Sequence, residues 1–246
     1  MTDHKHFKDR NKVSNWIWAR KFRVLLFMLV SVLVSYPYLQ AEGRTGRTLF
    51  EVLFTALLFV STYVLCDTRR NTTIALVLGL PAVIAHLIYV IFPESFSYGF
   101  PMGTFVIFYA YMTFTALRHV ATPDKVTADI LAGAVCVYLL IGMVWAMVFA
   151  YLEHSLPGSF VSVLSGDPIT GAIGGDTQDT HFTLFLYFSY TTLTTLGYGD
   201  ILPKTASARS LTSLEAITGV LYIGAFVARL ISAYQPKRRR TDVIDQ

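Results

Sequence analysis

The chain has 246 residues, 54% of them hydrophobic and only 15% charged, with a net charge of +4 and a mean hydropathy of +0.51. Soluble domains carry about 25% charged residues, so this composition excludes a soluble domain and implies an integral membrane protein. The two cysteines, Cys66 and Cys136, lie in or beside apolar runs; buried thiols are expected, not a disulfide or metal cluster, and a charge carried largely by the tails points to topology and lipid headgroups, not nucleic acid.

Residues 1–21 form a polar, basic tail containing Lys5, Lys8, Arg10, Lys12, Arg20 and Lys21. It lacks the small-residue cleavage site of a removable signal peptide. Trp16, Ile17 and Trp18 precede the first apolar run as an interfacial aromatic anchor. A span needs about 20 apolar residues. The runs of that kind are residues 22–39, 48–66, 73–92, 100–117, 130–152 and 211–234. Pro81 predicts a kink in the third. The expected fold class is therefore an all-α membrane protein with six transmembrane helices.

Lysine and arginine set the orientation. With a cytoplasmic N-terminus, the inside segments hold the N-terminal tail, Arg69, Arg70, Arg118, Lys125, Lys237, Arg238, Arg239 and Arg240. The outside then holds only Arg44, Arg47, Lys204 and Arg209. Both termini are thus expected in the cytoplasm of a cell that carries the protein in its inner or plasma membrane. The same rule places the segment after the fifth span outside. That segment, residues 154–180, has no Lys or Arg and carries Asp167, Asp176 and Asp179. It reads either as a solvated loop or as an acidic mouth that concentrates cations.

Between the fifth and sixth spans stands a shorter apolar run, residues 182–190, with Asp179 and Thr180 as candidate N-caps. From Phe182 to Thr194 is about 13 residues, or roughly 20 Å of helix, too short to cross and long enough to reach the bilayer middle. The C-terminal end of such a half-helix carries the negative end of its dipole. Next comes Thr191-Thr-Leu-Thr-Thr-Leu-Gly-Tyr-Gly-Asp-Ile-Leu-Pro203. A phosphate cradle would need a preceding strand and usually a lysine; both flanks here are apolar and the only near lysine is Lys204.

Thr195-Leu196-Gly197-Tyr198-Gly199-Asp200 resembles the selectivity filter of tetrameric potassium channels, whose usual form has valine in place of Leu196. The resemblance implies a re-entrant pore helix and filter loop between spans five and six, and a homotetramer with potassium as permeant ion. It implies ion binding by Thr195, Leu196, Gly197, Tyr198 and Gly199. Glycine reaches positive φ without steric penalty, so Gly197 and Gly199 can turn carbonyls inward while Leu196 and Tyr198 point away. Tyr187 and Phe188 stand where many members carry two tryptophans, implying an aromatic cuff around Tyr198. Thr191 stands where some members carry a glutamate that bonds the filter aspartate, here Asp200; with Thr194 it completes the support. Gly219 matches the inner-helix hinge, with Gly224 a second candidate; close helix packing favours glycine equally. Val220, Ile223, Val227 and Ile231 would line the pore by the family's register. Glu215 is an acid within a span, where acids are costly and functional by default. Two roles are open to it: accepting from pore-helix threonines behind the filter, or an electrostatic well near the pore.

The fourth run lacks the repeated basic residues of a voltage sensor, where each charge gains only about 2.3 kcal/mol per 100 mV. Arg118 stands alone at its inner end with His119. About a dozen residues follow Tyr234, so no cytoplasmic ligand-binding domain is expected. The expected organisation is an N-terminal tail (1–21), a four-helix sensor-like region (22–118), a pore domain (119–236) and a basic C-terminal tail (237–246). Its cluster from Lys237 to Arg240 either anchors topology or binds anionic lipid. No cofactor is expected, and scattered histidines without a nucleophile motif argue against an enzyme. The expected function is passive potassium conduction. A non-selective cation channel and a non-conducting accessory membrane subunit are the alternatives.

Overall fold

The computed structural model describes residues 21–41, 43–66, 68–91, 99–121, 127–163 and 178–228. The expectations for the N-terminal tail, Asp167, Asp176, Ile231 and the 237–240 cluster lie outside these residues. Those described are α-helical apart from one small sheet. Helices α1 (Lys21–Ala41), α2 (Gly43–Leu65), α3 (Arg69–Ile91), α4 (Gly99–Ala121) and α5 (Ala128–Ser155) come first. Strand β1 (Phe160–Ser162), helix α6 (Gln178–Leu193), strand β2 (Ile201–Pro203) and helix α7 (Ala206–Leu221) follow. A π-helical segment, Tyr222–Val227, continues α7.

Six spans were expected. Among the described residues, 3 helices are long and apolar enough to cross a membrane: Arg69–Ile88 within α3, α4 and α5. α2 carries a shorter apolar stretch, Val52–Leu65. α3 runs continuously through Pro81. Large apolar side chains face outward on these helices, among them Phe27, Phe59, Val77, Leu80 and Ile107. Such an apolar exterior suits contact with lipid, where the helix satisfies its own backbone groups.

α5 is the helix against which the rest is arranged. Thr127 caps it, its side chain accepting from Ile130 N at 3.4 Å. α1, α4 and α6 all pack on it. Its first turn holds α1 through Asp129, which pairs with Arg23 at 3.7 Å, and two turns on the Cys136 thiol donates to Phe22 O at 3.3 Å. Phe54 of α2 joins α4 to α6: its ring meets Phe105, Tyr109 and Phe182, and its carbonyl accepts from the Tyr109 hydroxyl at 3.2 Å. A buried tyrosine needs such a partner for its hydroxyl.

Two element boundaries correct the sequence reading. α6 begins at Gln178, so Asp179 and Thr180 lie inside the helix and do not cap it. The apolar run marks only the buried stretch, and the helical backbone continues through the polar residues before it. α7 begins at Ala206, ahead of residue 211, because Thr205 caps it and accepts from Ala208 N at 3.3 Å. The strands have no counterpart in the sequence reading. β1 and β2 pair antiparallel with Val161 opposite Leu202. Val163 N donates to Asp200 O at 2.8 Å and Lys204 N to Ser159 O at 2.7 Å, extending the ladder at both ends.

Candidate functional site

The site begins where α6 stops. Thr194 N donates to Tyr190 O at 3.1 Å, and Thr195 N donates to Thr192 O at 2.9 Å. The Thr191 carbonyl then takes two donors, Leu196 N at 2.8 Å and Gly197 N at 3.1 Å. The helix thereby closes on itself, and the chain leaves it as an irregular segment.

That segment has alternating torsions. Thr195 has φ 60°, Gly197 φ 53° and Gly199 φ 75°, whereas Leu196 and Tyr198 between them are not at positive φ. Inverting the torsions at every second residue brings successive peptide planes to face the same way, which an ordinary strand does not do. Glycine takes positive φ freely. Thr195 does so at a cost, because a β-branched residue rarely occupies that region. Residues 194–199 are all exposed in the single chain, with Leu196 at 55% and Tyr198 at 66%.

Tyr187 of α6 braces the segment from behind. Its ring stacks on Tyr198, centroids 6.4 Å apart and planes 10° apart. Its hydroxyl donates to Asp200 Oδ2 at 2.6 Å. Asp200 Oδ1 accepts from Ile201 N at 3.1 Å.

Within the chain, Phe188 is buried and meets Phe149 and Phe160 edge-on, and Tyr187 is the residue that stacks on Tyr198. Neighbours on a helix lie about 100° apart, so the two rings leave α6 in different directions. Thr191 is near Asp200 in sequence but does not bond it: its hydroxyl donates to Phe188 O at 2.9 Å, and it supports the segment through its carbonyl. The Thr194 hydroxyl donates to Tyr190 O at 2.6 Å.

Glu215 of α7 is fully buried. Its partner is Ser189 and not a threonine: Ser189 Oγ is hydrogen-bonded to Glu215 Oε1. Ser189 Oγ also lies 2.6 Å from the Gly142 carbonyl of α5. The acid thus sits where three helices meet, behind α6.

Gly219 is a contact glycine. A Cβ there would lie 2.3 Å from Leu193 O and 3.0 Å from Leu193 Cδ1, so α7 approaches the last carbonyls of α6 as closely as backbone allows. Gly224 meets nothing within 4 Å and lies in the π-helical segment. That segment contains Ile223 and Val227, two of the expected pore-lining positions. A π turn holds more residues than an α turn, so a face counted at 3.6 residues from Val220 does not persist beyond Tyr222. Ile223 and Val227 border an apolar cavity of about 340 Å³ against Leu131, Ala134, Val135 and Tyr138 of α5; Val220 does not.

The sequence reading missed several residues that hold the site. Tyr138 OH donates to Leu193 O at 3.0 Å, Tyr190 OH to Leu139 O at 2.8 Å and Tyr222 OH to Ala134 O at 2.7 Å. These three tyrosines tie α5 to α6 and to the π segment. Glu153, at the end of α5, accepts from Gly158 N at 2.8 Å and Phe160 N at 2.9 Å and so sets β1 beside β2. The available signal was the residue type: a phenol or an acid inside an apolar span requires a polar partner.

Residues 134–235 match a family described as Ion channel, a segment that takes in most of α5, α6, the irregular segment and α7. The first four helices lie outside the match. No curated protein and no solved structure matches the chain.

Proposed function

We propose that this protein is a potassium-selective channel that passes the ion passively through a homotetrameric pore, a reading supported by the match of residues 134–235 to a family described as Ion channel. The observation that carries the reading is the alternation of positive φ at Thr195, Gly197 and Gly199 directly after a buried helix. A dehydrating potassium ion needs several oxygens at once. Carbonyls of Thr195, Leu196, Gly197 and Tyr198 facing one way, repeated in four chains, would supply them.

The tetramer is supported by what one chain leaves uncovered. Leu196 and Tyr198 are exposed, as are Leu214, Ile217, Val220 and Leu221 on α7. A continuous apolar face beside an exposed irregular backbone suits burial by further copies. In this reading α6 is a re-entrant half-helix entering from the outside, α7 is the inner helix, and both termini are cytoplasmic in a cell membrane. The 237–240 cluster would meet anionic headgroups.

The test is potassium and sodium flux through the purified protein in liposomes, with Gly199→Asp as control. Potassium flux exceeding sodium flux, and lost in the variant, is expected. Equal fluxes lost in the variant would replace selectivity by general cation conduction. An absence of flux across a range of pH, voltage and lipid would overturn the channel reading.

A further inference from the structure

The contact between Ser189 and Glu215 contains too few protons for an ionised acid. Ser189 Oγ lies 2.6 Å from the Gly142 carbonyl and is also hydrogen-bonded to Glu215 Oε1. A backbone carbonyl can only accept, and a serine hydroxyl carries one hydrogen. If Glu215 were a carboxylate, two acceptors would face that single hydrogen in a site closed to bulk solvent, since Ser189 and Glu215 are both fully buried. One contact would then be lone pair against lone pair.

A carboxylic acid resolves the count. Glu215 donates from Oε1 to Ser189, and Ser189 donates to Gly142 O, so each contact has one donor and one acceptor. The other oxygen, Oε2, is buried and has no hydrogen-bond partner among the described residues. As the carbonyl oxygen of a neutral acid it is far cheaper to leave bare than as half of a carboxylate.

Among the described residues, no neighbour supplies the missing charge or proton, and the titratable groups that face Glu215 are Tyr190 of α6 and Tyr138 of α5. Their hydroxyl hydrogens are already given to Leu139 O and Leu193 O. Among the described residues no lysine or arginine pairs with it.

We propose that Glu215 is a neutral acid at pH 7 and acts as a positioning residue, a proton-bearing tie that joins α7 through Ser189 to α5 just behind the filter helix. The proton assignment stands on the hydrogen-bond geometry; its consequence for conduction rests on the channel reading above. Loss of the proton would leave a buried charge facing an acceptor, and α7 would be pushed from α6 where the helix ends in the filter.

The test is infrared spectroscopy of the full chain in lipid vesicles at neutral pH, combined with potassium flux. A protonated-carboxyl carbonyl band is expected in the wild type, absent in Glu215→Gln and displaced in Ser189→Ala. Glu215→Gln keeps a donor toward Ser189 and is expected to retain potassium flux and assembly, whereas Glu215→Ala loses both. Alkali that removes the band is expected to reduce wild-type flux and to leave that of Glu215→Gln unchanged. Coincident acid-band spectra for the wild type and Glu215→Gln would overturn the proposal, as would flux that survives Glu215→Ala but not Glu215→Gln. A wild type that shows the band yet passes no potassium would leave the proton assignment standing and sink the channel reading instead.

Discussion

The Tyr187 hydroxyl donates to Asp200 Oδ2 at 2.6 Å, joining the helix before the irregular segment to the residue that ends it. The same ring stacks on Tyr198, so one side chain holds the segment at two points. Tyr187→Phe keeps the stack and removes the donor. A hydrogen bond to a charged group contributes about 1.5–3 kcal/mol. The variant is expected to unfold at lower temperature by that order of free energy and to discriminate less between potassium and sodium. Thermal unfolding and paired flux measurements check this; unchanged selectivity would mean that the stack alone suffices.

The two candidate hinge glycines are expected to behave differently. A Cβ at Gly219 would fall 2.3 Å from a backbone oxygen, which cannot rotate away. Gly219→Ala therefore forces α6 and α7 apart, and overpacking of this kind costs about 1–3 kcal/mol. Gly224 has open space around it, and alanine favours helix over glycine by roughly 1 kcal/mol. Gly224→Ala is expected to assemble normally, while Gly219→Ala gives less assembled protein by size-exclusion chromatography. Equal behaviour of the two would show that the close approach at Leu193 relaxes.

Parts of this arrangement were legible in the sequence. The positive φ at Gly197 and Gly199 followed from two glycines flanking a tyrosine between apolar flanks, since few other settings need that pair. Thr195 was not legible in the same way, because a β-branched residue argues against positive φ. β1 and β2 are three residues each, too short to show alternation, and β1 follows Pro157, Gly158 and Ser159, which read as plain loop. The packing of Phe188 on Phe149 and Phe160 was not legible, because a position carried over from a family says which residue type recurs and not which way the helix turns it. The π segment at Tyr222–Val227 leaves no signature in residue type, so a count at 3.6 residues per turn does not foresee it.

Glu153 is expected to behave as a structural acid whose loss is felt at β1. It is 1% exposed and accepts from two backbone N–H groups, at Gly158 and Phe160. Glu153→Ala removes the acceptor from both, and the donor left unpaired in a buried site, Phe160 N, costs about 1–3 kcal/mol. Hydrogen exchange at the Phe160 amide is expected to accelerate, and thermal stability to fall by that order of free energy. Glu153→Gln keeps one acceptor and is expected to lie between. Unaltered exchange at Phe160 would mean that the strand pairing holds without the acid.

Gly158 offers an internal control for the irregular segment. It has φ +82° and nothing within 4 Å of an added Cβ, as is also true of Gly197 at φ +53°. An alanine at either position meets no neighbour in the chain, so its cost is that of the left-handed backbone alone, about 1–2 kcal/mol per chain. The consequences differ by place. At Gly158 the strain falls in the turn before β1. At Gly197, in the proposed tetramer, it would recur in each of four chains around one axis, and relief by returning to negative φ would turn a carbonyl out of the proposed row. Gly158→Ala is expected to lose modest stability and retain selective potassium flux. Gly197→Ala is expected to retain its helical circular dichroism and lose selective flux. Selective flux that survives Gly197→Ala would separate ion selectivity from the alternating torsions and remove the observation on which the potassium reading stands.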